Sequence, residues 1–96
     1  MTYEYNVDEI HIMIGKNIAK IRKEKGMSQL DLSLALGHKS VSIVASAERF
    51  YNKKHFNIEH LFKIAFILQV DICDLLKPDI ENESGALPVY QGIQSP

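Results

Sequence analysis

The chain has no tryptophan, a single cysteine and no apolar run long enough to cross a bilayer. Each absence removes a class of protein. One cysteine, Cys73, cannot close an internal disulfide, and this fits a reducing compartment. Within "VDICDLL" it reads as a small buried apolar residue. The opening "MTYEYNVDEI" is acidic and lacks the basic segment of a signal peptide, so a cytoplasmic protein with no membrane partner is expected. No glycine-rich phosphate loop is present. His11, His38, His55 and His60 come without the cysteines or carboxylates that would complete a tetrahedral metal site, and nothing marks Cys73 as a nucleophile. Neither an enzyme nor a cofactor is expected. An excess of basic charge is missing too: the net charge is −1, whereas nucleic-acid binding usually leaves a basic footprint.

What is present is an ordinary globular composition, 46% hydrophobic and 24% charged, in 96 residues that suit one small domain. The charges are unevenly placed. Lys16, Lys20, Arg22, Lys23 and Lys25 crowd one segment, and Lys39, Arg49, Lys53 and Lys54 form a second group. Acidic residues collect at the ends, in Glu4, Asp8 and Glu9 and in "DIENE" from Asp79. A near-neutral total therefore accommodates a positive face.

Apolar periodicity organises the chain. Ile10, Ile14, Ile18 and Ile21 recur at steps of four and three, predicting a helix over about 8–25 that Asp8 caps and Gly26 ends. "SQLDLSLALG" is ambiguous, because Leu30, Leu32, Leu34 and Leu36 alternate as in a strand. Ser28 with Asp31 forms a capping-box pattern, however, and a lone strand would leave its backbone groups unpaired, so the segment is read as helix. Ser40 is the candidate cap of a third helix that includes Val41, Val44, Ala45, Ala47 and Glu48. After the basic loop "FYNKKHFN", Asn57 caps a helix with the stripe Ile58, Leu61, Ile64, Ala65 and Leu68. Asp71 caps a short "ICDLL" helix that Pro78 stops. The fold class is all-α: a helical domain over 1–78 with a short N-terminal arm, then a tail over 79–96. The tail is a dimerisation element or disordered, with a short extended piece around Leu87 to Tyr90.

"IRKEKGMSQLDLSLALG", followed by a turn and a helix ending at Glu48, resembles the helix-turn-helix domain of phage repressors, Cro proteins and xenobiotic-response-element-type regulators. The residues carrying the likeness are Arg22, Gly26, Met27, Ser28, Gln29, Leu32, Leu36, Gly37 and Glu48, then Leu61, Ile64, Ala65, Leu68, Val70, Leu75 and Leu76. The resemblance covers about residues 12–77. It implies a compact bundle of five short helices, lambda-repressor-like, whose third helix enters the major groove while the second crosses the backbone. It places Gln29 on a phosphate, Ser40 on phosphate at the start of helix three, and Val41, Ser42 and Ser46 on base edges. Arg22 and Glu48 match the family's structural ion pair. Lys39 and Arg49 flank the reading face, and Lys53, Lys54 and His55 are either backbone contacts or a solvated charge cluster.

Three departures matter. Ten residues lie between Gly37 and Glu48, one more than is usual, which leaves the reading register uncertain by one residue. Ser33 stands where alanine is usual and Ala47 where Ile or Leu is. Phe50 replaces a customary glycine, either lengthening helix three or adding an aromatic contact. The reading face is also poor in the Arg, Lys, Asn and Gln whose bidentate pairs contribute about 1–3 kcal/mol each. The function implied is a transcriptional regulator, a repressor, binding double-stranded DNA as a homodimer on an inverted repeat. The alternative is an antitoxin-like or protein-interaction module, with a toxin or another regulator as partner. Leu30 and Leu34, on the outer side of helix two, predict an apolar patch covered by the arm with Tyr3 and Tyr5 or by another chain.

Overall fold

The computed structural model describes residues 6–78; the arm with Tyr3 and Tyr5 and the tail over 79–96 lie outside the described residues. The helices are α1 (Val7–Glu24), α2 (Gln29–Ala35), α3 (Ser42–Glu48), α4 (Ile58–Leu68) and α5 (Ile72–Leu76), with a 3-10 turn at Tyr51–Lys53. No strand occurs among the described residues.

Local chemistry sets most helix ends. Asn6, not Asp8, caps α1: its side chain accepts from the Asp8 N–H, and Asp8 sits in the first turn, where its charge suits the helix dipole. Gly26 (φ 73°) ends α1 in the left-handed region, with Met27 N–H donating to the Arg22 carbonyl and Gly26 N–H to that of Lys23. Ser28 and Asp31 form a reciprocal capping box on α2, and the Ser28 hydrogen bonds hold the exposed Asp31 carboxyl below its ordinary range. The alternating leucines therefore lie on a helix. Leu32 is buried and Leu36 packs on the core, while Leu30 and Leu34 stay 46% and 54% exposed.

The third helix starts later than Ser40. Its N-cap is Val41, which makes no side-chain cap, and the Ser40 hydroxyl lies 2.7 Å from that of Ser42. The longer turn occupies this space. Phe50 does not lengthen α3. It adopts φ 56° in spite of its side chain, and its ring stacks 5.9 Å from that of His11. The left-handed backbone that glycine usually supplies is kept, and an aromatic contact accompanies it.

The core joins Ile14 and Ile18 of α1, Leu32, Val44 and Ala47, Phe56, Leu61, Ile64, Ala65 and Leu68, and Leu75 of α5. Two readings are corrected here. Ile58 is exposed although it lies about 20° from Ala65 around the helix, because it is the first residue of α4 and the buried set begins one turn further on, at Leu61. Cys73 is exposed as well, since α5 buries only Leu75, about 200° around the helix from position 73. Its thiol is pushed up by the Asp71 carboxylate, with Asp74 adding to the effect. Long-range polar ties complete the packing: Asn17 Nδ2 donates to the carbonyls of Leu75 (3.0 Å) and Lys77 (2.7 Å), joining α5 to α1.

Candidate nucleic-acid interface

One buried charge network sets the relation between α1, α2 and α3. Arg22 Nε donates to Glu48 Oε2 at 2.7 Å and a terminal Arg22 nitrogen to Glu48 Oε1 at 3.0 Å, a bidentate pair. The other terminal nitrogen donates to the Met27 carbonyl at 2.7 Å, in the turn between α1 and α2. Gln29 Nε2 donates to Glu48 Oε1 at 2.9 Å. Arg22 and Glu48 are both buried, so their charges are compensated by each other and by these bonds rather than by water.

The α1–α3 contact is close for a steric reason. A Cβ on Gly15 would meet the Glu48 carbonyl oxygen at 2.5 Å and that of Ala47 at 3.0 Å. Backbone meets backbone there, so the missing side chain at Gly15 lets α1 approach the end of α3.

With Val44, Ala47 and Glu48 turned inward, α3 presents Ser42, Ala45, Ser46 and Arg49 on the opposite arc. Val41 and Ser42 are exposed and Ser46 is half-buried; Lys39 and Ser40 are exposed in the preceding turn. Ala45 shares this arc; the sequence puts it in the helix but does not mark it for the reading face, since it has no polar group. Arg49 is exposed, and its guanidinium lies over the Tyr51 ring, 5.6 Å from the centroid, a contact that restricts its swing. Tyr51 is a second residue the sequence did not single out.

Beyond α3, Lys53, Lys54 and His55 line an open concavity together with Ser42 and Ile43. The loop bends through left-handed backbone at Phe50, Asn52 and Lys53. Contacts to α1 hold it: the His55 ring stacks on His11 at 3.8 Å, and Lys53 Nζ lies 3.2 Å from the Asp8 carboxylate. Burial, with the neighbouring His55, pushes the His11 imidazole below its ordinary value. Lys53 thus has a carboxylate beside it, and Lys54 has no ion pair among the described residues. The four histidines are drawn into two pairs, His11 with His55 and His38 with His60. Among the described residues no group of three or more His, Cys, Asp or Glu is arranged to hold a metal ion.

Two helices locked at a fixed angle, the second with a polar outer face and lysines at its edges, define a helix-turn-helix. Comparison with known families agrees, and the helix-turn-helix family of Cro and phage-repressor type matches residues 18–75. The chain belongs to that family, a DNA-binding and typically non-enzymatic one. None of the curated proteins matches the chain. No helix among the described residues is long and apolar enough to cross a membrane.

Proposed function

We propose that this protein is a sequence-specific transcriptional repressor whose homodimer reads an inverted-repeat operator through the major groove. The observation that supports this best is the Arg22–Glu48–Gln29 network, which fixes α2 against α3 and leaves the Ser42–Ser46–Arg49 arc facing outward. On this reading Arg49, steadied by Tyr51, is the main donor to a base edge, and Val41 meets a thymine methyl. Ser40, Ser42 and Ser46 make shorter contacts. Lys39, Lys53 and Lys54 lie along phosphates. Gln29 spends one amide hydrogen on Glu48 and directs the other to a phosphate, so it couples phosphate contact to the buried network.

In-vitro selection of the full chain from random duplex DNA tests the reading. The expected product is an inverted repeat with half-sites about 34 Å apart, bound with an affinity that falls steeply as salt rises. Absence of any enriched sequence, with no salt-sensitive shift on any duplex, would overturn it. One observation favours the antitoxin-like reading: the α3 arc carries two serines and an alanine beside a single arginine, little information for a base code. A stable protein partner on pull-down, together with that failure on DNA, would decide for it.

A further inference from the structure

The loop after α3 carries an imidazole whose two nitrogens are not equivalent. His55 Nδ1 lies 3.0 Å from the Lys53 carbonyl oxygen, which can only accept, so Nδ1 bears the hydrogen. In the neutral ring Nε2 is then a lone-pair acceptor. The exposed His55 ring lines the open concavity with Ser42, Ile43, Lys53 and Lys54, where the proposed function lays DNA phosphates. A phosphate oxygen is an acceptor too, so the neutral ring sets one lone pair against another. A proton on Nε2 turns the same approach into a charge-assisted hydrogen bond.

The surroundings decide which histidine takes that proton. On α1, His11 stacks face to face on His55, the centroids 3.8 Å apart and the planes 20° from parallel. Two imidazolium rings at that distance repel, whereas one charged ring over one neutral ring attracts. His11 is half-buried, and burial with the neighbouring His55 holds it below its ordinary value, so it is the ring that stays neutral. Asp8, also on α1, opposes that shift and is engaged by Lys53 Nζ at 3.2 Å. Ser42 and Ile43 of α3 bring no charge, and Phe50 adds only a ring, 6.3 Å from that of His55. Within the loop, Lys53 and Lys54 are like charges to a cation at position 55, and a phosphate entering the concavity offsets both.

We infer that His55 is a phosphate ligand of the reading face that binds DNA as imidazolium, each protomer taking up a proton at Nε2 as the complex forms. Solvent supplies the proton and recovers it when the DNA leaves. Linkage fixes the sign: the protonated form is the one that binds, so affinity rises as pH falls. The inference rests on the DNA-binding reading and adds a pH dependence to it.

The test is the affinity of the full chain for its selected operator at pH 8 and pH 6, at one salt concentration, alongside His55→Gln and His55→Lys. The wild type should bind each half-site about tenfold more tightly at pH 6. His55→Gln, a neutral donor that cannot gain a proton, should lose most of that gain. His55→Lys is charged at both pH values, so it should also lose the gain yet bind more tightly than wild type at pH 8. Because residue 55 is exposed, both variants should keep the wild-type helical circular dichroism at both pH values. Calorimetry in buffers of unlike ionisation enthalpy should count proton uptake by the wild type and less by His55→Gln. If His55 only braced the loop against His11, both variants would bind more weakly at both pH values with the acid gain intact. That outcome, or a wild-type affinity independent of pH, overturns the inference and leaves the regulator standing. No duplex bound at either pH rejects the regulator, and the inference falls with it.

Discussion

Ser33 carries a fully buried hydroxyl with no hydrogen-bond partner. A buried unpaired hydroxyl costs about 1–3 kcal/mol. Ser33→Ala should therefore stabilise the domain by about 1 kcal/mol, raising the melting temperature by roughly 4–8 °C; a melt at or below the wild-type value would count against this. Glu48 stands at the other extreme. Its removal leaves Arg22 buried without a counter-charge, a loss of about 3–5 kcal/mol. Set against the roughly 5–15 kcal/mol that holds a small domain together, Glu48→Ala should leave much of the chain unfolded by circular dichroism at 37 °C. Gln29→Ala removes one bond from a carboxylate that Arg22 still satisfies, so its melt should stay near wild type. The two residues of the ion pair could be named from their resemblance to a family pattern. The bond from Gln29 could not, because it depends on how the start of α2 meets the end of α3.

At the scale of the element, α4 shows how a cap links stability to pH. Asn57 accepts from the His60 N–H at 2.7 Å, and the His60 imidazole replaces the usual Glu, its Nδ1 accepting from the Asn57 N–H at 3.2 Å. Burial lowers the His60 pKa below the ordinary 6.5, the neighbouring His38 lowers it further, and Glu59 opposes the shift. The unfolded chain then binds a proton more readily than the folded one. The contribution is complete above pH 6.5 and is lost as pH falls from 6.5 through the folded-state value. His11 is depressed in the same direction and adds to the effect. The urea midpoint should accordingly drop between neutral and mildly acidic pH. His60→Gln, which keeps an acceptor at the capping position, should flatten that drop; an unchanged acid limb would exclude His60 as its source. Sequence identified Asn57 as the cap, since the residue type and its place before an apolar stripe suffice. The protonation behaviour was hidden, because it depends on how deeply His60 is buried and on its approach to His38, 22 residues away in the turn after α2.

For the whole molecule the question is how a chain of net charge −1 presents a face to DNA. One carboxylate, Glu48, is withdrawn from the surface onto Arg22, whereas Asp8 sits by Lys53 and offsets part of its charge. Lys54, with no such partner among the described residues, should release counterions more fully on binding. Lys54→Gln is expected to reduce the slope of log affinity against log salt by about one, and Lys53→Gln by less. Equal slopes for the two variants would show that Asp8 does not screen Lys53 in solution.

Sequence by itself determined the helices, most of their caps, the inward set led by Ile14, Ile18, Leu32 and Leu68, and the family. Those features depend on residue type and spacing along one segment, where helical geometry is fixed. Only the tertiary structure decided which side of a doubly apolar helix faces in. Periodicity groups Ile58 with Leu61, Ile64, Ala65 and Leu68 and puts Phe62 and Phe66 further round the helix, but burial follows from what α2 and α5 bring against α4, and it leaves Ile58 exposed. The same holds for Cys73, turned outward by the docking of a five-residue helix, and for the loop after α3, whose histidine stacks on α1. Contacts between segments far apart in the chain have no local signature, and they set the geometry of the reading face.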